Sequence, residues 1–414
     1  VPIGSAQKVA PIPANEGECG LESYSEMVQI AFEREEEKVE ANVVENPSLE
    51  GEWLAVITGA CGEGSKLAQY VSEQLGADSF KHSLHLDGAW IMTFSNDLFA
   101  KQSLEQNEYV EAFYPLINLD RDVRLIPNDP KFNDQWHLRN TGQSGTSGED
   151  VNITSTWDNY KGTGVMISIV DDGVDTDHPD LSPNYNTALD YDYCGNDNNP
   201  NPSSNDHHGT SSAGVAAAKG NDATGVTGAA MDADLIGVLL LACGLTDSRE
   251  ANALSHSRDF VDISSNSWGP SDDGETIEGP GPLLMAALED NAYLGRSGKG
   301  MVVTLAGGNG HGNDDNSNYD GYANSRFTIG VAAVSDYGTR SWYSEDGANI
   351  LVAAPSNGGE NGITTTENGG GYTNSFGGTS SATPLVSGIV ALILEANPSL
   401  TWRDVQHILA NSAR

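Results

Sequence analysis

The segment VMISIVDDG, residues 165–173, decides the fold. It is a short apolar run that ends directly in two carboxylates, Asp171 and Asp172. Apolar runs of the same kind recur later in the chain, with helix candidates between them, at residues 235–242, 261–268, 301–306 and 327–334. Such runs, linked through helices, indicate an α/β fold with a mainly parallel sheet covered on both faces. Sites in these folds form at the carboxyl ends of the strands, where Asp171 is predicted to lie.

Two further segments supply partners for Asp171. HHGTSSAG, residues 207–214, carries His208, and GGTSSATP, residues 377–384, carries Ser380 just before an apolar helix candidate. A serine hydroxyl is a weak nucleophile, so it needs a base, and the base needs a carboxylate that orients it. We therefore predict that Asp171 orients His208, and that His208 activates Ser380.

Each of these residues also has an ordinary interpretation. Ser380 alone would be a helix N-cap, His208 a surface or core histidine, and Asp171 a turn cap. The three together, in this order and in these local contexts, favour catalysis. Asn309, in AGGNG at residues 306–310, extends the set as a donor to a developing oxyanion, although an isolated asparagine among glycines is more often a turn residue.

The charge is strongly acidic. Lys and Arg total 20 against 59 Asp and Glu, which gives a formal net charge of −39. Nucleic acid is excluded as a partner, because such a field repels phosphate. The acidity has two compatible explanations, a solvated surface and a set of carboxylates that bind Ca²⁺ or attract basic substrates. We expect no membrane segment, because no apolar run approaches the roughly 18 residues that a spanning helix needs.

The chain divides into three parts. Residues 1–50 are a Glu-rich acidic tail, with one helix expected near residues 27–32. Residues 51–124 combine strand candidates with the helical KLAQYVSEQL and predict a small α+β domain, and residues 125–414 form the large unit. The four cysteines, Cys19, Cys61, Cys194 and Cys243, contain no CxxC pair, which argues against zinc and against a thioredoxin-like motif.

Several longer segments resemble a known family, the subtilases, and within them the kexin and furin-like proprotein convertases. The similarity runs over most of residues 125–414, through DPKFNDQWHL, DDGVDTDHPDL, HHGTSSAG, NSWGPSDDGETIEGP, GGNG, YDGYANS, WYSE and GGTSSATP. It implies a subtilisin-like three-layer α/β/α fold preceded by a small α+β propeptide domain. It also implies a calcium-dependent serine endopeptidase, made as a zymogen in the secretory pathway or for the extracellular space, that cuts proproteins or peptides after basic motifs.

The resemblance assigns acids to the recognition of basic side chains. Asp272 and Asp320 are expected to form the primary pocket, and Glu250 and Glu278 to bind a second basic residue four positions before the cut. Arginine suits such acids, because its planar fork of donors matches carboxylates. Where relatives carry an acid beside the catalytic histidine this chain has Asn205, but the nearby acids Asp172 and Asp206 remain candidates for the neighbouring subsite.

The same resemblance implies calcium sites. Asp315 and Glu345, with Asp272, are expected to hold one ion beneath the pocket. A second site is expected from Asp129, Asp180 and Asp222 with backbone carbonyls of residues 219–226. In a third, Asp192 matches, but Asn199 and Asn201 replace the usual acids, which lowers the charge of the site. The cysteines do not fall at the usual convertase positions, which removes one argument for a disulfide-locked domain.

The predicted domain junction contains a possible substrate of the protein itself. Arg121-Asp122-Val123-Arg124 is an RxxR sequence, and the resemblance implies autoprocessing between Arg124 and Leu125, which would release the upstream residues as an inhibitory propeptide and folding aid. Two alternatives stay open. A broad-specificity degradative subtilase would show no basic preference, and a pseudoprotease or binding module would not react at Ser380.

Overall fold

The computed structural model describes Cys19 and residues 51–83, 87–95, 97–116 and 125–413. Two compact units divide the chain, Val1–Arg121 and Asp122–Arg414. The helix predicted near residues 27–32 and the two arginines of the RxxR sequence, Arg121 and Arg124, lie outside the described residues.

The N-terminal unit is a small α+β structure. Its elements are β1 (Glu52–Ile57), α1 (Lys66–Leu75), β2 (Ser79–His82), β3 (Ala89–Thr93), α2 (Asp97–Glu105) and β4 (Val110–Pro115). The four strands pair antiparallel in the order β2-β3-β1-β4. Ser65 caps α1 by accepting a hydrogen bond from the amide of Ala68 (3.1 Å), and Gly76 ends the helix at a φ of 71°. A disulfide joins Cys19 to Cys61.

The C-terminal unit is built on a seven-stranded parallel sheet, in the order β11-β10-β9-β8-β5-β7-β6. A separate antiparallel hairpin, β12-β13, follows it. The elements are β5 (Met166–Asp171), β6 (Tyr191–Asp192), α3 (His208–Ala217), β7 (Asp234–Leu239), α4 (Asp247–Leu254), β8 (Ile263–Asn266), α5 (Pro282–Gly298), β9 (Val302–Ala306), β10 (Thr328–Val334), β11 (Ile350–Pro355), β12 (Ile363–Glu367), β13 (Gly371–Phe376), α6 (Thr379–Ala396) and α7 (Trp402–Ser412).

Helices cover both faces of this sheet. Ile167 and Ile169 of β5 belong to a core cluster that includes buried residues of α3, α6 and α7. Val170 belongs to a second cluster, which includes Leu254 of α4 and Leu284 of α5. Alternate side chains of one strand therefore pack into cores on opposite faces, as the pleat of a β-strand requires. The three-layer α/β/α prediction is confirmed.

Two expectations need correction. A disulfide joins Cys194, which follows β6, to Cys243, which follows β7, so the C-terminal unit does carry a cross-link. The apolar helix α6 has 18 residues and is long and apolar enough to cross a membrane, so the expectation that no run approaches this length is wrong. Since 72% of α6 is buried inside the unit, its length and composition are those of a core helix.

Candidate active site

The sheet and one helix bring Asp171 and His208 together. Asp171 is the last residue of β5, and His208 is the first residue of α3. Nδ1 of His208 lies 2.9 Å from each carboxylate oxygen of Asp171. Since a carboxylate only accepts, Nδ1 carries a proton and Nε2 is left to act on another group. This is the geometry of a base held by an orienting carboxylate.

The environment of His208 favours its charged form. Asp171 is 1% exposed, whereas the imidazole of His208 is 34% exposed and contacts the ring of Phe376 edge-on at 5.4 Å. Burial by itself lowers the pKa of His208, but the charge and hydrogen bond of Asp171, with the charge of Asp172, raise this pKa to about 9. The imidazolium that forms during proton transfer is therefore stabilised.

Ser380 lies at the amino-terminal end of α6. Gly378, with a φ of 73° and a ψ of 176°, supplies the backbone turn that begins the helix. The hydroxyl of Ser380 donates to the backbone carbonyl of Ser267 (3.1 Å), and the hydroxyl of Ser267 donates to the carbonyl of Ser380 (3.0 Å). Attack on a substrate therefore requires Ser380 to exchange the bond to Ser267 for one to His208.

Asn309 is oriented by the same helix end. Its side-chain oxygen accepts hydrogen bonds from the amide (2.8 Å) and hydroxyl (3.1 Å) of Thr379. The amide nitrogen of Asn309 therefore points the other way, towards Oδ2 of Asp272 at 3.4 Å. This leaves a donor beside the start of α6, whose first amides also lack intrahelical partners.

An acidic cavity of about 230 Å³ opens beside Ser380. Ser380, Asn309, Trp268, Asp272 and Asp320 are among its lining residues. Oδ1 of Asp320 accepts from the amides of Tyr322 (2.7 Å) and Ala323 (3.2 Å). Burial, together with the charges of Asp272 and Glu278, outweighs these bonds and raises the pKa of Asp320 to about 6. A cation in the cavity would relieve this repulsion.

Three predicted calcium ligands meet in the lining of the cavity. Each of Asp272, Asp315 and Glu345 offers a carboxylate oxygen, and these oxygens lie within 4.8 Å of one another. Burial raises the pKa of Glu345 to about 8, with the charges of Asp315 and Asp272 adding to the increase and the amide of Gly310 opposing it. Closely spaced carboxylate oxygens suit Ca²⁺, which takes hard oxygen ligands.

The second predicted set gathers around one loop. Asp129 accepts hydrogen bonds from the amides of Asn221 (2.7 Å) and Asp222 (3.2 Å), and Oδ2 of Asp180 accepts from Val226 (2.7 Å). The other oxygen of Asp180, Oδ1, is buried and has no hydrogen-bond partner among the described residues. Burial raises the pKa of Asp180, and the charge of Asp222 adds to this. A buried, unpartnered acceptor fits a cation ligand.

The side chains of the third predicted set make hydrogen bonds with loop residues. Oδ1 of Asp192 accepts from the amides of Cys194 (2.6 Å) and Gly195 (2.8 Å), so it stabilises its own turn. The side chain of Asn201 accepts from Thr176, and Asn199 bonds to Asn201. These side chains are engaged in loop structure, and their role as ligands stays a prediction.

The remaining predicted recognition acids fall in two environments. Glu250 is 7% exposed in α4 and accepts from the hydroxyl of Tyr322 (3.3 Å), while Glu278 is exposed and pairs through its backbone with Asp320. In contrast, the carboxylate of Asp172 accepts from the amides of His208 (3.2 Å) and Gly209 (2.7 Å) and so caps α3.

Asp206, the last of these acids, accepts from the hydroxyl of Ser203 (2.6 Å). At the predicted autoprocessing junction only Leu125 is described, and its amide donates to Asp158 (2.7 Å). The roles of Asp206 and Leu125 therefore stay predictions.

Three residues of the candidate site are not identified by the sequence. Ser267 accepts from the hydroxyl of Ser380, Phe376 packs against His208, and Tyr322 connects Glu250 to the loop of Asp320. Ser267 and Tyr322 lie inside NSWG and YDGYANS, two segments that resemble the convertases. The resemblance assigns no role to either residue. Phe376 is the last residue of β13, a polar hairpin strand, and no sequence pattern indicates its contact with His208.

The fold and the site together define a class: an α/β protein with the aspartate, histidine and serine of a serine hydrolase. The chain belongs to the subtilase family, since the family model described as "Peptidase_S8: Subtilase family" matches residues 162–414. It is 40% identical over 345 residues to "PC3-like endoprotease variant B" of Hydra vulgaris, an alignment that covers 78% of this chain and 48% of that protein.

Other convertases are similar to a comparable extent. "Proprotein convertase subtilisin/kexin type 7" of Homo sapiens is 42% identical over 328 residues, covering 75% of this chain and 41% of the relative. The chain thus spans half or less of the length of these curated relatives. The crystallised serine protease of Aeromonas sobria, solved with its chaperone, superposes with a TM-score of 0.64 at 27% identity over 70% of this chain and 58% of that one. These similarities confirm the predicted resemblance and fold.

Proposed function

We propose that the protein is a calcium-dependent serine endopeptidase, made as a zymogen, that cleaves proteins or peptides after basic motifs such as RxxR or dibasic pairs. The observation that carries this proposal is the acidic cavity, which places Asp272 and Asp320 beside Ser380. A substrate arginine entering it would find carboxylates, and the scissile carbonyl behind that arginine would lie at the nucleophile.

The residues of the site are suited to acyl transfer. His208 takes the proton of Ser380 as its oxygen attacks the carbonyl, while Asp171 holds the imidazole and stabilises its charge. Asn309 and the amide of Ser380 donate to the oxyanion of the tetrahedral intermediate; loss of one such donor typically costs about 2.7–4 kcal/mol. His208 then protonates the leaving amine, and water releases the acyl group through the same base.

Calcium is proposed to stabilise the floor of the cavity. Asp272, Asp315 and Glu345 would hold one ion, and Asp129, Asp180 and Asp222 a second. The ion supplies positive charge that offsets the repulsion between closely spaced carboxylates. Glu345 also accepts from the amide of Gly310 (2.9 Å), next to Asn309, so order in this cluster supports the proposed oxyanion donor.

Substrate selection and maturation complete the proposal. Glu250 and Glu278 would bind a second basic residue four positions upstream of the cut, and the RxxR sequence that ends at Arg124 matches that preference. We propose self-cleavage between Arg124 and Leu125, with the upstream residues as propeptide, in the secretory pathway or outside the cell. N-terminal sequencing of active enzyme tests this, and a start far from Leu125 would contradict it.

One experiment tests the activity and its calcium dependence together. The processed enzyme is incubated with a mixed peptide pool, with calcium or with a chelator, and the cut sites are read by mass spectrometry. Ser380→Ala serves as the inactive control, and it should also keep its upstream residues because it lacks the proposed nucleophile. We expect cuts after basic residues, lost on chelation and absent in the variant. Cuts without basic preference would support a degradative subtilase, and no cuts together with no fluorophosphonate labelling of Ser380 would support a pseudoprotease.

A further inference from the structure

The helix that carries Glu250 is tied at both ends to one short segment, residues 191–194. Cys243 lies just before α4, and its disulfide joins the chain entering this helix to Cys194. The hydroxyl of Tyr193 lies 2.9 Å from the backbone oxygen of Asn252 inside α4 and 3.0 Å from Nδ1 of His256 just beyond it. We call the disulfide and this hydroxyl together the clamp.

The clamp is anchored to the rigid sheet. Residues 191–192 form β6, which pairs in parallel with β7, and the amide of Tyr193 continues the pairing by donating to Leu239 (2.9 Å). The ring of Tyr191 stacks on His256 with centroids 5.6 Å apart. The chain that leads from β7 to Cys243 is also fixed, because the amides of Leu240 and Leu241 both donate to the carbonyl of Asp171.

The helix that carries Glu250 is therefore fixed against β6 and β7. Strand β7 pairs in turn with β5, which ends at Asp171. The carboxylate of Glu250 accepts from the hydroxyl of Tyr322 (3.3 Å), and the amide of Tyr322 donates to the cavity residue Asp320 (2.7 Å). We propose that Cys194, Cys243 and Tyr193 are positioning residues, which set the distance between Glu250 and the cavity and so the preference for a second basic residue. This inference rests on the proposed function of Glu250.

Contacts other than the clamp also hold α4 in place. Its inner residues Ala253 and Leu254 are buried in the core, and the carboxylate of Asp247 accepts from the amides of Leu283 (3.0 Å) and Leu284 (2.8 Å) at the start of α5. Loss of the clamp should leave the helix in place but free to shift. Small displacements of this kind matter, because a misplacement of about 1 Å can cost about 10²-fold in rate.

The test compares two peptides that differ only in the residue four positions before the cut, arginine or alanine. The selectivity is the ratio of their kcat/KM values, measured for the wild type, Cys194→Ser/Cys243→Ser, Tyr193→Phe and Tyr191→Phe. Tyr191→Phe is the matched control, because its hydroxyl donates to Asn196 in its own loop (2.9 Å) and not to α4. Glu250→Gln gives the selectivity expected when recognition is lost.

We expect the double serine variant to lower the selectivity about tenfold and Tyr193→Phe to lower it less. The kcat/KM of the alanine peptide and the selectivity of Tyr191→Phe should stay at wild-type values. If the double variant does not fold, Tyr193→Phe still decides the question.

Wild-type selectivity in the clamp variants, or an equal loss in Tyr191→Phe, would overturn the inference. A wild-type ratio near one would instead contradict the proposed function itself.

Discussion

At the scale of single residues, the proposed role of His208 as the base predicts how the rate responds to pH. Burial lowers the pKa of His208, while Asp171 and Asp172 raise it to about 9. Only the neutral imidazole can accept the proton of Ser380, so kcat/KM should rise with pH until about pH 9 and then level off. Asp172→Asn removes a nearby negative charge and should move this rise to lower pH.

The measurement is a pH–rate profile of processed enzyme at saturating calcium. Asp206→Asn is the matched control, since its carboxylate bonds to Ser203 and does not contribute to the pKa of His208. A profile that stays in place in Asp172→Asn, or that moves equally in both variants, would contradict the assignment.

A second prediction concerns the charge of Asp320. Asn at this position keeps an oxygen for the amides of Tyr322 and Ala323 but removes the negative charge from the cavity. Truncating one partner of a buried charge pair typically costs about 2–5 kcal/mol, so kcat/KM for a peptide cut after arginine should fall about 30-fold or more. A peptide with citrulline, the neutral analogue of arginine, should lose much less.

The control for this change is Asp273→Asn, because Asp273 lies beside the cavity residue Asp272 but accepts hydrogen bonds from Glu275 and Thr276 of its own turn. Equal losses for the arginine and citrulline peptides in Asp320→Asn would show that the residue acts on structure and not on the substrate charge.

At the scale of elements, the sequence predicts strands better than it predicts contacts. The run at residues 165–170 became β5 at Met166–Asp171, because a buried strand shows its apolar side chains directly in the sequence. The apolar helix predicted to follow Ser380 begins instead at Thr379 and so includes Ser380. Pro384 lies inside this helix, and Thr379, Ser381 and Thr383 in its first turns are buried. The Cys194–Cys243 disulfide joins residues 49 apart, and local patterns contain no information on such a pairing.

A further prediction concerns thermal stability and the proposed calcium cluster. Without an ion, the carboxylates of Asp272, Asp315 and Glu345 repel one another. Calcium should therefore raise the melting temperature, with a stabilisation of about 2.7 kcal/mol when its concentration is 100 times the Kd. Glu345→Gln should lose much of this gain, yet in chelator near pH 7 it should melt no lower than the parent, because the carboxyl of Glu345, whose pKa is raised to about 8, is mostly neutral there.

Calorimetry in a Ser380→Ala background avoids self-digestion and allows both conditions to be compared. Asp222→Asn is the companion variant, expected to remove only the part of the calcium response that belongs to the second set. A calcium response that is unchanged in both variants would rule out ion binding at these two clusters.

At the scale of the whole molecule, the net charge of −39 acts together with the local sites. Both explanations of this acidity, a solvated surface and a set of functional carboxylates, have examples among the described residues. Asp272, Asp315 and Glu345 are concentrated around the site, whereas acids such as Asp273 and Asp314 are exposed to solvent. Mutual repulsion among exposed acids weakens as salt increases, because the screening length shortens. We therefore expect the surface to respond to ionic strength and the proposed ion sites to respond to calcium.

The stability of the C-terminal unit against acid depends on a residue that takes no part in the proposed chemistry. His137 is fully buried, and neither of its ring nitrogens has a hydrogen-bond partner in the part of the chain that the structure describes. Burial lowers its pKa to about 3, against 6.5 for an ordinary histidine. Between these values the unfolded chain binds a proton that the folded chain does not, so stability falls as the pH drops below about 6.5.

This linkage should cost about 2 kcal/mol at pH 5 relative to neutral pH. His137→Leu removes the titrating ring and should lower this loss by a similar amount. The free energy of unfolding in urea is measured at pH 8 and pH 5 for the Ser380→Ala protein, with and without His137→Leu. The change in this free energy between the two pH values is then compared between the two proteins. Effects of the substitution on packing cancel in this comparison, because they are present at both pH values. If the variant loses as much stability between pH 8 and pH 5 as its parent, His137 is not the group responsible.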